Sequence, residues 1–483
     1  GKIGSEVHLN YLTNSSPYPK KYVLLNEGKA HAIYQFALRG MTTEKGTAEM
    51  VRFLTEEYGG SATLIAAHYI QRAKDIDIES HKFQLLQAMI RSEDPNVRMC
   101  LASALGKSGS TDVLSTYIGF LKKESDPRVI INGLRQSNDF PYIEMIDHIL
   151  ALLNHKNDQV AIEAANWIGR NGKPADYRFY LDYVDNVSDS GVQIAIKGSV
   201  LRLLGENYPK TRGKIVSELK TAFESTSNPY EKAFILQSLG ANPYLYQTVH
   251  DLAFPDSALV VKSKGVEILG SILTDYLPSK SKGVQRYYAP IIMNFLNEAL
   301  QSRDIGMIAA SAYSIYAADN ELVKSRIDSS LLAQAYSELS MPADIEAINY
   351  CIQAINKHIP GAAIPLKISD NLRTFDMKTL EVLGRDPIAV ISTSQGDIRV
   401  KLFTNHAPAT VMNVVDLAQQ GYFVDKVVHR AVPNFVIQTG CPRGDGYGSE
   451  DYTIRSELSP LYYLESGYIG MASAGKHTES TQW

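Results

Sequence analysis

Over most of the chain the apolar residues keep the spacing of a helix. Val97, Leu101, Ala104 and Leu105 fall at i, i+4, i+7 and i+8, which lines one face of a helix. The stripe returns at Val160, Ala164, Trp167 and Ile168, and again at Val192, Ile196 and Val200. Short polar starts precede these runs: Asp94-Pro95-Asn96-Val97, Asp126-Pro127-Arg128-Val129, Asn157-Asp158-Gln159-Val160 and Asp189-Ser190-Gly191-Val192. They lie 32, 31 and 32 residues apart. Each begins with Asp or Asn, whose side chain can accept from the orphan amides of a first turn. Two have proline at the first helical position, where no amide is needed. Gly106 and Gly169 sit nine residues past the first valine of their stripes, where a helix-ending glycine is expected. Looser copies follow at Asn228-Pro229-Tyr230, at Asp256-Ser257, at Asp304-Ile305 with Ala309, Ala312 and Tyr313, and at Pro342-Ala343-Asp344 with Ile345, Ile348, Ile352 and Ile355.

A period near 32 residues with two helices per unit resembles HEAT-like repeats. One such unit cannot bury its apolar face alone, so neighbours stack into a solenoid whose concave side can take a protein partner. The resemblance covers roughly residues 30–358, and residues 1–359 are expected to form this α-helical part. The prolines and glycine of His358-Ile359-Pro360-Gly361-Ala362-Ala363-Ile364-Pro365 end it. Residues 360–385 are read as a linker packing between domains, and residues 386–483 as a second domain.

There the period changes from helix to strand. Ile388 to Thr393 is rich in β-branched residues, Ser394-Gln395-Gly396-Asp397 is turn chemistry, and Ile398 to Phe403 alternates; together these predict a hairpin. Ala407-Pro408-Ala409-Thr410 opens a helix carrying Val411, Val414, Val415 and Leu417 and ending at Gly421. Val427 to Cys441 reads as strand and carries Arg430, Phe435 and Gln438. A cation, an aromatic wall and an amide on one sheet surface suit a short peptide. A glycine-rich loop from Gly440 to Gly448 and a strand candidate from Tyr468 to Ala472 follow.

Composition narrows the partners. A net charge of −4 over 483 residues gives no basic footprint, which argues against nucleic acid. No run of about 18 apolar residues exists to span a membrane. Cys100, Cys351 and Cys441 are too far apart for a metal-ligand motif or a disulfide framework. Asp75-Ile76-Asp77-Ile78-Glu79 reads as a capped, solvated helix start rather than a carboxylate metal site. The chain begins at Gly1, which leads to the expectation of a targeting segment ahead of it, with the compartment open between cell envelope and cytoplasm.

Several ordered motifs in residues 386–483 resemble a cyclophilin-type peptidyl-prolyl cis-trans isomerase: the hairpin, A-P-A-T-V-M-N-V-V, V-H-R-A-V-P-N-F-V-I-Q-T-G, G-D-G-Y-G, and G-M-A-S-A-G followed by T-Q-W. The resemblance implies an antiparallel β-barrel with helices over its ends. The fold class is therefore multidomain α plus β, a helical-repeat solenoid followed by an incomplete barrel. It implies turnover of X-Pro bonds in proline-containing peptides and unfolded client proteins. The barrier there is roughly 18–20 kcal/mol and comes from amide resonance. No bond breaks, so no nucleophile, cofactor or metal is required.

The resemblance assigns electrostatic stabilisation of the twisted amide to Arg430. It places Phe435 in the wall of the proline pocket with Val436 beside it. Gln438 would hold the substrate backbone and Arg430. Met471, Ala472, Ser473 and Ala474 would line the groove for the residue before proline, and Gln482 would also reach the peptide. His429 is read as structural. Gly444-Asp445-Gly446-Tyr447-Gly448 is read as turn geometry, since it lacks the strand-to-helix context of a phosphate loop.

The chain departs from the family pattern at Val428, where phenylalanine is usual. It departs again at Val424-Asp425 for Asp-Gly, at Val436 for methionine and at Ser473 for asparagine. The family pattern also continues beyond Trp483, so the chain is expected to supply one side of the groove. These departures keep a second reading open, a non-catalytic scaffold that only holds proline-containing peptide.

Overall fold

The computed structural model describes every residue except 1–3, 16, 17, 57, 59, 325, 377, 433–435, 460, 462, 464 and 465. It divides into two compact units, Gly1–Ile215 and Val216–Trp483.

In the first unit the repeat-opening helices are α1 (Pro95–Ser108), α2 (Pro127–Gln136), α3 (Asp158–Asn171) and α4 (Ser190–Leu204). Each packs on the next. Their caps are those the sequence predicts. The side chain of Asp94 accepts from Asn96 N, Asp126 from Arg128 N, Asn157 from Gln159 N and Val160 N, and Asp189 from Val192 N. The stripes are core: Leu101, Leu105, Val160, Ala164, Trp167, Ile168, Ile196 and Val200 are fully buried. Trp167 satisfies its indole N–H on Ser137 Oγ at 3.0 Å. Buried Glu163 accepts from Arg135 at 3.1 Å and Arg170 at 2.8 Å, tying α2 to α3.

Gly106 and Gly169 do not end their helices, which run on to Ser108 and Asn171. They mark close approach instead. A Cβ on Gly106 would lie 3.0 Å from Tyr117 Oη, and one on Gly169 2.9 Å from Ser199 Oγ. The helices stop at Gly109, which is left-handed (φ 64°), and at Gly172.

The second unit continues the pattern with α5 (Pro229–Gly240), α6 (Leu259–Ser271), α7 (Ile305–Ala317) and α8 (Ile345–His358), again each against the next. Asn228 caps α5 and Asp304 caps α7. Ile345, Ile348, Ile352 and Ile355 are buried along α8. Tyr313, placed on the α7 stripe by spacing, is half exposed and meets Tyr350 edge-on at 5.1 Å. After α8 the chain runs extended along it. The Asn356 amide donates to Ile364 O and accepts from its N, and Asn349 does the same with Lys367.

The β part is small. Strands β1 (Ile388–Thr393) and β2 (Gly396–Lys401) form the expected hairpin, with Thr393 opposite Gly396. Helix α9 (Pro408–Gln419) follows. Ala407 cannot cap it, and the Glu457 carboxylate accepts from Ala409 N and Thr410 N at 2.9 and 2.8 Å in its place.

The stretch Val427–Cys441 is not one strand. It gives β3 (Arg430–Val432) and β4 (Val436–Gln438), paired antiparallel, with Pro433-Asn434-Phe435 between them in sequence. Among the described residues the strands make two separate two-stranded sheets and no closed barrel. Tyr468–Ala472 is not a strand either. Tyr468 and Ile469 are exposed, and among the described residues only Ala472 of this run donates its amide to another segment, to Gln482 O at 2.9 Å. An apolar run becomes strand only where a partner supplies a ladder.

Candidate active site

The register of β3 and β4 sets Arg430 directly opposite Gln438 and Val432 opposite Val436. Opposed residues share a face, and so do residues two apart on one strand. Arg430, Gln438, Val432 and Val436 therefore lie on one side of this ribbon. Arg430 Nη1 donates to Gln438 Oε1 at 3.1 Å. Gln438 Nε2 donates to Gln482 Oε1 at 2.9 Å, and Gln482 Nε2 donates to Gly446 O and Gly448 O at 3.1 and 3.0 Å. The polar groups run in one direction, from guanidinium through two amides to two backbone carbonyls. Reversing either amide would set donor against donor and acceptor against acceptor.

Backbone pairing fixes the second amide. Thr439 and Trp483 exchange both their N–H···O bonds, at 2.9 and 3.1 Å, while Gln482 O accepts from Ala472 N. Residues 438–439, 482–483 and 472 thus lie side by side. Tyr422 Oη donates to Gly440 O and Thr481 Oγ1 at 3.1 Å each, and Thr481 Oγ1 donates to Gly440 O at 2.9 Å. Phe423 packs edge-on against Trp483 at 6.0 Å.

The structure therefore brings Arg430, Gln438, Gln482, Val436 and Ala472 together, with Met471 half-buried beside Ala472. Phe435 lies outside the described residues. Ser473 and Ala474 are exposed in a turn closed by Thr478: Ala474 N donates to Thr478 Oγ1 at 2.8 Å, and Ser473 Oγ donates to Gly475 O at 2.5 Å. The amide of Gln482 is occupied at both ends by Gln438 and the glycine loop.

His429, next to the guanidinium in sequence, is half-buried, and neither ring nitrogen has a partner among the described residues. Burial lowers its pKa, which keeps the ring neutral beside Arg430. Burial likewise pushes the Cys441 thiol up, the opposite of a reactive thiolate. The glycines of the 444–448 loop take positive φ of 74°, 94° and 76° at Gly444, Gly446 and Gly448. Among the described residues no cluster of His, Cys, Asp or Glu is placed to hold a metal ion, and no helix is long and apolar enough to cross a membrane.

An exposed, fixed cation beside a hydrogen-bonding amide and a short apolar strand can bind an extended peptide. It can also place positive charge against an amide without covalent chemistry. Thr439, Tyr422 and Thr481 complete this arrangement and were not singled out by sequence. Their partners lie 12 to 59 residues away, beyond any local periodicity.

Residues 388–483 match the family model described as cyclophilin type peptidyl-prolyl cis-trans isomerase/CLD. A peptidyl-prolyl cis-trans isomerase of Synechococcus elongatus is 40% identical over 95 residues, which are 20% of this chain and 65% of that protein. One from Helicobacter pylori strain J99 is 37% identical over 114 residues, 23% of this chain and 69% of that protein. The chain thus spans about two thirds of the length of these curated relatives, under that share for the first. Among solved structures, the crystal structure of Kap121p bound to Ste12p aligns with 73% of this chain and 45% of its own, at 12% identity and a TM-score of 0.31.

Proposed function

Since the chain belongs to the cyclophilin-type peptidyl-prolyl cis-trans isomerase family through its C-terminal residues, we propose that it catalyses cis–trans isomerisation of X-Pro bonds in peptides and unfolded client proteins. One observation carries the reading. Arg430 and Gln438 oppose each other across β3 and β4, and the guanidinium is held by the Gln438 amide. A guanidinium fixed before substrate arrives needs no reorganisation when charge on the proline amide redistributes in the twisted state. Arg430 supplies that charge and Gln438 orients it. Val436 borders the proline site. Met471, Ala472, Ser473 and Ala474 form the lip along which the preceding residue lies, and Gln482 acts chiefly by bracing Gln438.

Residues 386–483 are the catalytic domain on this reading. Residues 360–385 are a connecting strap, and residues 1–359 are a helical-repeat scaffold that recruits client or partner protein. A proline-isomerisation assay on the intact protein tests the activity. Acceleration by the native protein that Arg430→Ala leaves unchanged would sink the mechanism. Peptide binding with no acceleration would favour a holding scaffold, the reading kept open by Val428, Val436 and Ser473.

A further inference from the structure

The glycine loop has a second side. Arg443 Nη2 donates to both oxygens of Asp304 at 3.0 and 2.9 Å, and to Asp445 Oδ2 at 2.9 Å. Asp304 at the same time caps α7, accepting from Met307 N at 2.9 Å. Tyr447 Oη donates to Glu267 of α6 at 3.1 Å. Tyr230 of α5 donates from Oη to Gly444 O at 2.8 Å, and Ser449 Oγ donates to Ala343 O, just ahead of α8, at 3.2 Å. Four successive repeats therefore hold one loop. The helix approaches this ion pair closely: a Cβ on Gly306 would lie 2.8 Å from Asp445 Oδ2 and 3.1 Å from Arg443 Nη2.

The loop's other side holds Gln482 by the carbonyls of Gly446 and Gly448, and from there the path runs through Gln438 to Arg430. Such a path matters because β3 and β4 pair over only three residues each. A two-stranded ribbon that short has little stability of its own, so a guanidinium standing on it depends on an outside brace.

Resting on the reading that Arg430 is the catalytic cation, we infer that Arg443, Asp304, Asp445 and Tyr447 are positioning residues. The helical repeats fix the glycine loop, and the loop fixes Arg430 through Gln482 and Gln438. The scaffold is then part of the isomerase site as well as a recruiter of clients. Its surface over α5 to α8 at this point is occupied by its own chain.

Gly306→Ala in the intact protein is the discriminating change. Alanine favours the α7 helix over glycine, so a role confined to helix stability predicts an unchanged or firmer α7. Positioning predicts that the Cβ displaces the Asp445 carboxylate and the Arg443 guanidinium and so loosens the loop they hold. Amide hydrogen exchange should then stay unchanged over 305–317, yet rise about tenfold at Thr439 and Trp483. The catalytic constant should fall about tenfold with KM for a proline peptide within about twofold. Asp304→Asn, which retains a cap acceptor, should act in the same direction but less, and Arg443→Lys should retain more activity than Arg443→Gln. Unchanged exchange at Thr439 and Trp483 in both Gly306→Ala and Asp304→Asn would overturn the inference. So would an equal rise across 305–317. If the native protein shows no isomerase activity, the isomerase reading fails, while the exchange data still decide the positioning.

Discussion

Trp167 and Trp483 show how differently the two ends of the chain are held. Trp167 is fully buried among helices, and its indole N–H reaches Ser137. Trp483 is half-buried, its indole nitrogen has no partner among the described residues, and its place is set by backbone exchange with Thr439. The same contrast holds for valines: Val160 is wholly buried, while Val390 in β1 is 51% exposed. In the repeats each helix covers the next with an apolar stripe, the helix caps are satisfied within two or three residues, and side-chain bonds such as Trp167 to Ser137 join elements about one repeat apart. In residues 386–483 the order rests on polar bonds between distant segments, such as Asn413 Nδ2 to Ser480 O and Glu457 to the start of α9. Damage to the first region should scale with lost apolar contact. Damage to the second should scale with lost polar partners.

The largest break is Trp167→Ala. Removing a fully buried indole should cost about 3–5 kcal/mol, read as a fall in the chemical-denaturation midpoint of Gly1–Ile215, and a loss below about 1 kcal/mol would contradict the packing account. Next comes acid. Burial, helped by Lys122, depresses the pKa of His148 to about 4. The unfolded imidazole binds protons from about pH 6.5 downward, while the folded one waits for about pH 4. The penalty is therefore absent above pH 6.5, grows as pH falls and levels off below pH 4, reaching roughly 3 kcal/mol. His148→Leu should lose less stability than the native chain over that window, and parallel pH curves would refute the assignment.

Asn413→Ala probes the other region. Asn413 is fully buried, donating to Ser480 O at 2.6 Å and accepting from Tyr452 Oη at 2.8 Å. Its loss removes these bonds and the one from Arg373 Nη1 at 3.4 Å and should cost about 1–3 kcal/mol, with faster hydrogen exchange over residues 408–419 and 480–483 and no change over Gly1–Ile215. Smallest is Val390→Thr on the exposed hairpin. It should change stability by less than about 0.5 kcal/mol, and a larger loss in thermal unfolding would show that this hairpin is covered in solution.

The same contrast explains what could be read from sequence. Caps at Asp94, Asp126, Asn157 and Asp189 were legible because donor and acceptor are two or three residues apart. The positions of Gly106 and Gly169 suggest helix ends, since a glycine that admits a neighbouring side chain looks in sequence like one that stops a helix. The apolar pattern of Val427–Cys441 reads as strand throughout, although Pro433-Asn434 inside it is turn chemistry. Arg430 and Gln438 could be found by motif, and their pairing follows from the register of β3 and β4. The brace through Gln482 and the junction of Arg443 with Asp304 had no sequence signal, the latter joining residues 139 positions apart.

On the proposed mechanism Arg430 acts on the barrier to isomerisation more than on the grip on the peptide. The most direct test sets binding against rate in one sample, following a labelled X-Pro peptide by NMR exchange with native protein and with Arg430→Ala. Arg430→Ala should keep a dissociation constant within about threefold of native and lower the exchange rate by about 10²–10³. Binding and exchange lost in parallel, or exchange left at the native rate, would contradict it.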